Sequence, residues 1–292
     1  MRFGPVPLDQ AEGTILAHSV PLPGGRLRKG CCLGPADLAA LAAAGLAEVT
    51  VARLAASDIH EDAAALALAR ALVPNPSTAG LSLRPVGTGR VNIHADATGV
   101  LDVLADRVNA LNAVDPMITL ATVPRWQRLG QGDMAATVKI IAYGVDQSAV
   151  AAACAAGATA LRLRPVVLTR AVLVQTVTDA DDGEKGDRAI RKRLAALQVA
   201  MAPTQIVPHR EAELAAALAA VSGVDLILIL TASATSDPHD VAPQAVRRAG
   251  GTVERFGMPV DPGNLLFLGR LGAVPVIGLP GCAKSPALNG AD

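Results

Sequence analysis

From residue 166 onward, short apolar runs alternate with amphipathic helical patterns, and this alternation constrains the fold more than any other feature. The runs are AVLVQTV, TQIVP, DLILIL and PVIGLPG, separated by GDRAIRKRLAALQVA, REAELAAALAAV and VAPQAVRRAGG. In the first helical pattern Ile190, Leu194 and Leu197 recur on one side. DLILIL is apolar at every position after Asp225, as a strand buried on both faces requires. A β-α-β-α-β order predicts a mainly parallel sheet with right-handed crossovers. The fold class expected for 166–292 is therefore three-layer α/β, preceded by smaller α+β units at 1–75 and 76–165.

The first 165 residues are less regular. Pro35 opens a short helix with Leu38, Leu41 and Ala42 at helical spacing, and Gly45 ends it. A strand follows at Glu48–Leu54. A second helix is expected from Asp58, with Glu61 at capping-box spacing, to about Val73. PNPSTAG (74–80) reads as a linker. Beyond it, Leu101, Leu104, Val108 and Leu111 predict one face of a helix. MITLATV and ATVKIIAY predict strands around the loop PRWQRLGQGDM, and a helix at 147–156 leads into the strand ALRLRPV.

Composition narrows the function classes. Hydrophobic residues make up 51% and charged ones 18%, which excludes a disordered chain. Lys+Arg 26 against Asp+Glu 26 argues against a broad nucleic-acid-binding face, and 2% aromatic residues argue against base-stacking platforms. Cys31, Cys32, Cys154 and Cys282 form no C-x-x-C, so zinc ribbons and redox pairs are excluded. The first residues lack an apolar signal segment, and Ala149–Leu161 is too short and too often interrupted to span a membrane. A cytoplasmic protein acting on a small molecule is expected, without nucleic-acid or membrane partners.

In parallel sheets, sites lie beyond the carboxyl ends of the strands. That rule selects three loops. The first carries Thr176, Thr178, Asp179, Asp181 and Asp182, then Lys185 and Arg188; it suits an anion or metal, or is an ordinary polar capping loop. The second runs from Thr231 to Asp240 and holds four hydroxyls and two carboxylates. Thr231, Ala232, Ser233, Thr235 and Ser236 offer small side chains and donors to a phosphate, and Asp237 and Asp240 could hold a divalent cation. The third is Gly278–Pro286. There Pro280 and Gly281 shape the backbone, Lys284 and Ser285 suit an anion, and Cys282 reads as an inert thiol. Upstream, Pro262, Gly263 and Asn264 make another rigid turn. Of His18, His60, His94, His209 and His239, only His239 lies in a site loop; the rest read as surface or capping residues. Arg125, Trp126 and Arg128 form a small basic and aromatic cluster, read as an exposed loop or a domain contact. No nucleophile elbow, P-loop or dinucleotide fingerprint occurs.

These loops, in this order, resemble the molybdopterin-binding domain shared by molybdopterin molybdenumtransferases and molybdopterin adenylyltransferases. Thr231–Asp240 stands where that family has a Ser-Gly-Gly-x-Ser-x-Gly-x-x-Asp loop, with the same length and the same final Asp. Pro262-Gly263-Asn264 stands at its Pro-Gly element, and Leu279-Pro280-Gly281-Cys282 at its Leu-Pro-Gly-Asn-Pro motif. Ala232-Ser233 replace the family's Gly-Gly, and Cys282-Ala283 its Asn-Pro. Gly25–Gly30 and LGPADLAALAAAGLAEVTV also look like the molybdenumtransferase segment before that domain. The chain is most similar to the molybdopterin-binding half of proteins in which this domain precedes a molybdenum-cofactor nucleotidyltransferase. The middle unit is then an insertion, and nucleotidyl transfer does not reside in these residues alone.

The resemblance implies a molybdenum cofactor biosynthesis protein that binds molybdopterin, or its molybdenum- or nucleotide-bearing form. Thr176 and the Thr231–Ser236 loop, with Lys284 and Ser285, would hold the phosphate. The pterin would lie against Pro262–Asn264 and Pro280–Cys282. If the protein is catalytic, it is a molybdenumtransferase-like transferase using Mg2+ and molybdate at Asp237 and Asp240. The alternatives are a non-catalytic module serving a partner nucleotidyltransferase or molybdoenzyme, and a homo-oligomerisation scaffold with an emptied pocket.

Overall fold

The structure is a computed structural model that describes residues 1–178 and 182–292. The chain folds as two compact units, Met1–Pro165 and Val166–Asp292, and its class is mixed α/β with several sheets.

In the second unit, the strand Arg170–Val177 pairs in parallel with Ala200–Met201, Gln205–Pro208 and Leu226–Leu230. Leu226–Leu230 pairs in parallel with Val274–Leu279. Side chains alternate across a strand, so the continuous apolar runs feed two cores. Val172, Val174, Ile227 and Ile229 pack with the helices Glu211–Ala220 and Val241–Arg248. Ala171, Leu173, Leu226, Leu228 and Leu230 pack with Ile190 and Leu194 of the helix Glu184–Ala196 and with Ala283 of the 3-10 turn Gly281–Lys284.

The parallel arrangement covers only part of this sheet. Thr252–Phe256 and Phe267–Leu271 are additional strands, and both join antiparallel to their neighbours. Their connections explain the reversal. The turn between Leu271 and Val274 is two residues long, and no crossover helix separates the pair 252–256 and 267–271. Gly278 lets Phe267 cross this pairing, since a Cβ there would lie inside the ring.

The first unit carries small antiparallel sheets. Arg2–Pro7, Glu48–Arg53 and Ile15–Leu16 form one, over a core of Leu16, Leu33, Leu41, Val49 and Val51. Leu81–Gly87, Arg90–Ala95, Met134–Ile140 and Ile118–Thr122 form a four-stranded sheet, and Arg128–Leu129, Gly99–Val103 and Leu161–Pro165 a three-stranded one. Ala64, Ala65, Leu68 and Leu72 of the helix Glu61–Leu72 enter the same core as Leu81, Ile93, Leu101 and Leu161.

Two local expectations are corrected here. The helix starts at Glu61, not Asp58: Asp58 accepts the Ala55 N–H at 2.6 Å, and His60 caps the helix through the Asp62 N–H at 3.2 Å. Leu101 lies in a strand rather than a helix, because Gly99–Val103 alternates against Leu161–Pro165, and the helix begins at Ala105. Pro74–Gly80 is partly ordered as a helical turn at Pro76–Ala79. Among the described residues, no helix is long and apolar enough to cross a membrane.

Candidate functional site at the carboxyl rim of the parallel strands

Register aligns the exits of the loops. Gln175 pairs with Leu230, and Leu230 with Leu279. The next residues, Thr176, Thr231 and Pro280, therefore form one row across neighbouring strands about 4.8 Å apart. On the other flank Val177 pairs with Pro208, which brings His209 to the same rim. The three loops selected from the sequence thus leave the sheet side by side.

The Thr231–Asp240 loop is built from its own side chains. Thr231 Oγ1 donates to the Ser233 carbonyl at 2.6 Å and lies 3.3 Å from Thr235 Oγ1. Asp240 accepts the Ser236 N–H at 3.1 Å and the Val241 N–H at 2.7 Å, closing the loop and capping the helix Val241–Arg248. Asp237 accepts the His239 N–H at 2.7 Å. These bonds leave the N–H groups of Ser233, Ala234 and Thr235 with no acceptor among the described residues. Three successive donors therefore stand at the end of the most apolar strand. Neither Ala232 nor Ser233 adopts a positive φ, so glycine is not required there.

Thr176 ties the first loop to the second. Its Oγ1 accepts the Ala232 N–H at 3.0 Å and lies 2.8 Å from His209 Nδ1. Beside it, Gln175 is fully buried, and neither of its amide atoms has a partner among the described residues. Gly183 and Gly186, at the start of the helix Glu184–Ala196, make room for that amide: a Cβ at either would overlap it. Asp187 of that helix is bonded by Arg191 and by the Thr204 hydroxyl. Burial pushes its carboxyl up, but these bonds prevail and hold it below the usual range. Asp179 and Asp181, named as candidates, lie outside the described residues.

The third loop is anchored from below. Arg193 donates to the Ala283 carbonyl at 2.8 Å and to the Ser285 carbonyl at 2.9 Å. Asn289 Nδ2 donates to the Cys282 carbonyl at 3.1 Å, and the Cys282 thiol to Asn289 Oδ1 at 3.6 Å. Lys284 closes the 3-10 turn, with Ser285 immediately after it. The turn at Pro262, Gly263 and Asn264 packs on the following tail: Gly290 N–H donates to the Pro262 carbonyl at 2.8 Å.

Hydrogen bonds therefore join Thr176 with Ala232, and Thr231 with Ser233 and Thr235. They also join Ser236 with Asp240, and the Pro262 and Cys282 turns with the 289–290 tail. The strands Leu226–Leu230 and Val274–Leu279 set the second loop beside the third. Gln175, His209, Arg193 and Asn289 were not selected from the sequence. For His209 the same strand-end rule, applied to TQIVP, would have sufficed. Arg193 and Asn289 left no signal, because they act on distant backbone carbonyls. Among the described residues, no group of three or more His, Cys, Asp and Glu side chains gathers to hold a metal.

Comparison with known proteins gives a sparse result. A family model described as a domain of unknown function (DUF8806) matches residues 5–53, the span of the first antiparallel sheet. No curated protein matches the chain. Among solved structures, a molybdopterin biosynthesis MoeA protein from Pyrococcus horikoshii is similar over 96% of this chain and 70% of its own, with 13% identity and a TM-score of 0.31. A second MoeA structure from Pyrococcus horikoshii OT3 covers 95% and 69%, with 10% identity and a TM-score of 0.25. Values this low do not establish a common fold, so any functional reading stands on the rim and its sequence motifs.

Proposed function

We propose that the second unit binds molybdopterin, or its molybdenum- or nucleotide-bearing form, as part of molybdenum cofactor biosynthesis. The observation that carries this reading is the run of N–H groups at Ser233, Ala234 and Thr235 that have no acceptor among the described residues. Such a donor run at a strand end suits the terminal phosphate of the ligand. Thr176, Lys284 and Ser285 would add donors around it, while Thr231 and Ser236, whose hydroxyls donate to the Ser233 and Ala234 carbonyls, would hold the loop in shape. The pterin would rest on the turns Pro262–Asn264 and Pro280–Cys282.

The fit to a cation is narrower. Both oxygens of Asp240 and one of Asp237 already accept backbone N–H groups. A Mg2+ held there would draw most of its ligands from the bound phosphate and water, with molybdate arriving as substrate. The same engagement favours a second reading, in which the unit binds and hands over the cofactor to a partner nucleotidyltransferase or molybdoenzyme without turning it over.

Calorimetric titration with molybdopterin tests the binding. Saturable binding is expected, and Ser233→Pro, which deletes one N–H, should weaken it about tenfold, or about 1.4 kcal/mol. Absence of binding by the folded wild-type protein would refute the proposal. Titration with molybdate and Mg2+ present then separates the readings: turnover lost in Asp240→Asn supports a transferase, and unchanged ligand supports delivery.

A further inference from the structure

The first unit carries an arginine-rich face that the reading above does not use. In the sheet Arg128–Leu129, Gly99–Val103 and Leu161–Pro165, Leu101, Leu129, Leu161 and Leu163 point into the core. The opposite face follows from register. Arg162 pairs with Asp102, while Arg164 and Arg128 both pair with Val100, on either side of it. Cross-strand partners share a face about 5 Å apart. Arg128, Arg162 and Arg164 are therefore neighbours, and the loop before Arg128 adds Arg125.

Asp102 organises two of them. Arg125 donates from Nε, at 3.2 Å, to one carboxylate oxygen and lies 3.2 Å from it through Nη2. Arg164 donates from Nε and Nη2, at 3.2 and 2.9 Å, to the other. One buried carboxylate thus holds two half-exposed guanidiniums side by side. Each keeps its Nη1 without a partner among the described residues, as do the guanidiniums of Arg128 and Arg162. One arginine would neutralise Asp102; this face carries four.

Two further observations mark the place. Trp126, the single tryptophan of the chain, is 51% exposed, carries Arg125 over its ring at 4.6 Å, and sits at φ 66. A bulky aromatic residue in the left-handed region without burial to fix it is costly. At the other edge, Arg162 lines a cavity of about 230 Å³ with Asn75, Thr78 and Thr159.

We infer that this face binds a phosphate-bearing small molecule of the nucleotide class, with Arg125 and Arg164 gripping the phosphate and Trp126 offering a surface to the base. Paired guanidiniums match phosphate oxygens in a way lysines do not, and indole faces stack on nucleobases. Arg162 and its cavity receive the rest of the ligand. The site stands independently of molybdopterin binding by the second unit.

Trp126 reports on its own site. At constant ionic strength, inorganic diphosphate and a nucleoside diphosphate should each change its emission saturably, the nucleotide binding more tightly. Arg162→Ala, which removes an unpaired exposed group, should weaken both about tenfold. Arg164→Lys keeps the charge beside Asp102 but loses the fork, and should do the same. In Trp126→Phe, followed by calorimetry, the nucleotide should lose its advantage over diphosphate. The inference is overturned if neither ligand saturates, or if Arg164→Lys binds as wild type. It is also overturned if single-stranded oligonucleotides bind more tightly with each added nucleotide, which would make the face a nucleic-acid interface.

Discussion

At the scale of single residues, Gln175 shows how the rim departs from ordinary packing. A buried amide with no partner costs about 1–3 kcal/mol, and this one lies against Gly183 and Gly186. Gln175→Met keeps the shape and removes both polar atoms. It should stabilise the protein by on the order of 1 kcal/mol in urea unfolding; a comparable loss would show that the amide is satisfied in solution. Gly186→Ala should cost about 1–3 kcal/mol by overpacking, since its Cβ would also come within 2.7 Å of Leu230. In a Gln175→Ala background the part of that cost due to the amide should vanish and the part due to Leu230 remain, which a double-mutant cycle measures. Thr176, Thr231 and Ser233 were legible in sequence because strand ends announce themselves by a change of composition. Gln175 was not, because a polar residue inside AVLVQTV carries no mark of whether its amide is bonded.

At the scale of elements, Asp240 does two jobs that substitution can separate. As the cap of the helix Val241–Arg248 it accepts the Val241 N–H, and it also binds Ser236. Asp240→Ala should lower stability by about 1 kcal/mol, while Asp240→Asn keeps an accepting oxygen and most of that stability; equal losses would mean that the charge matters more than the cap. Asp187 connects the helix Glu184–Ala196 to Thr204, just before the strand Gln205–Pro208. Because its carboxyl is held below the usual range in the folded state, its contribution is present above the unfolded pKa. That contribution fades as pH falls through the lower, folded value. Asp187→Asn should therefore flatten the acid limb of stability against pH and leave its slope near neutrality unchanged. The helices and parallel strands of this unit followed from periodicity. Thr252–Phe256 and Phe267–Leu271 escaped because glycine and charge interrupt them, and an edge hairpin needs no continuous apolar run.

At the scale of the whole molecule, sums over the chain hide local structure. Equal numbers of acidic and basic residues argued against a broad nucleic-acid-binding face, yet four arginines share one face around a single aspartate. Hydrophobic burial is more faithful to organisation, because a core must be contiguous. The buried residues of 166–292 form two sets on the faces of one sheet, and neither set draws on a residue before Val166. The core that takes in Leu72, Leu101 and Leu163 likewise ends before that point. A unit with its own cores should fold without its neighbour. Residues 166–292 expressed alone should unfold in one cooperative transition and bind molybdopterin with the affinity of the full chain. A non-cooperative transition would show that stability is borrowed from residues 1–165. Cooperative folding with lost affinity would instead show that the ligand needs a group from the first unit, and that the rim is only part of its site.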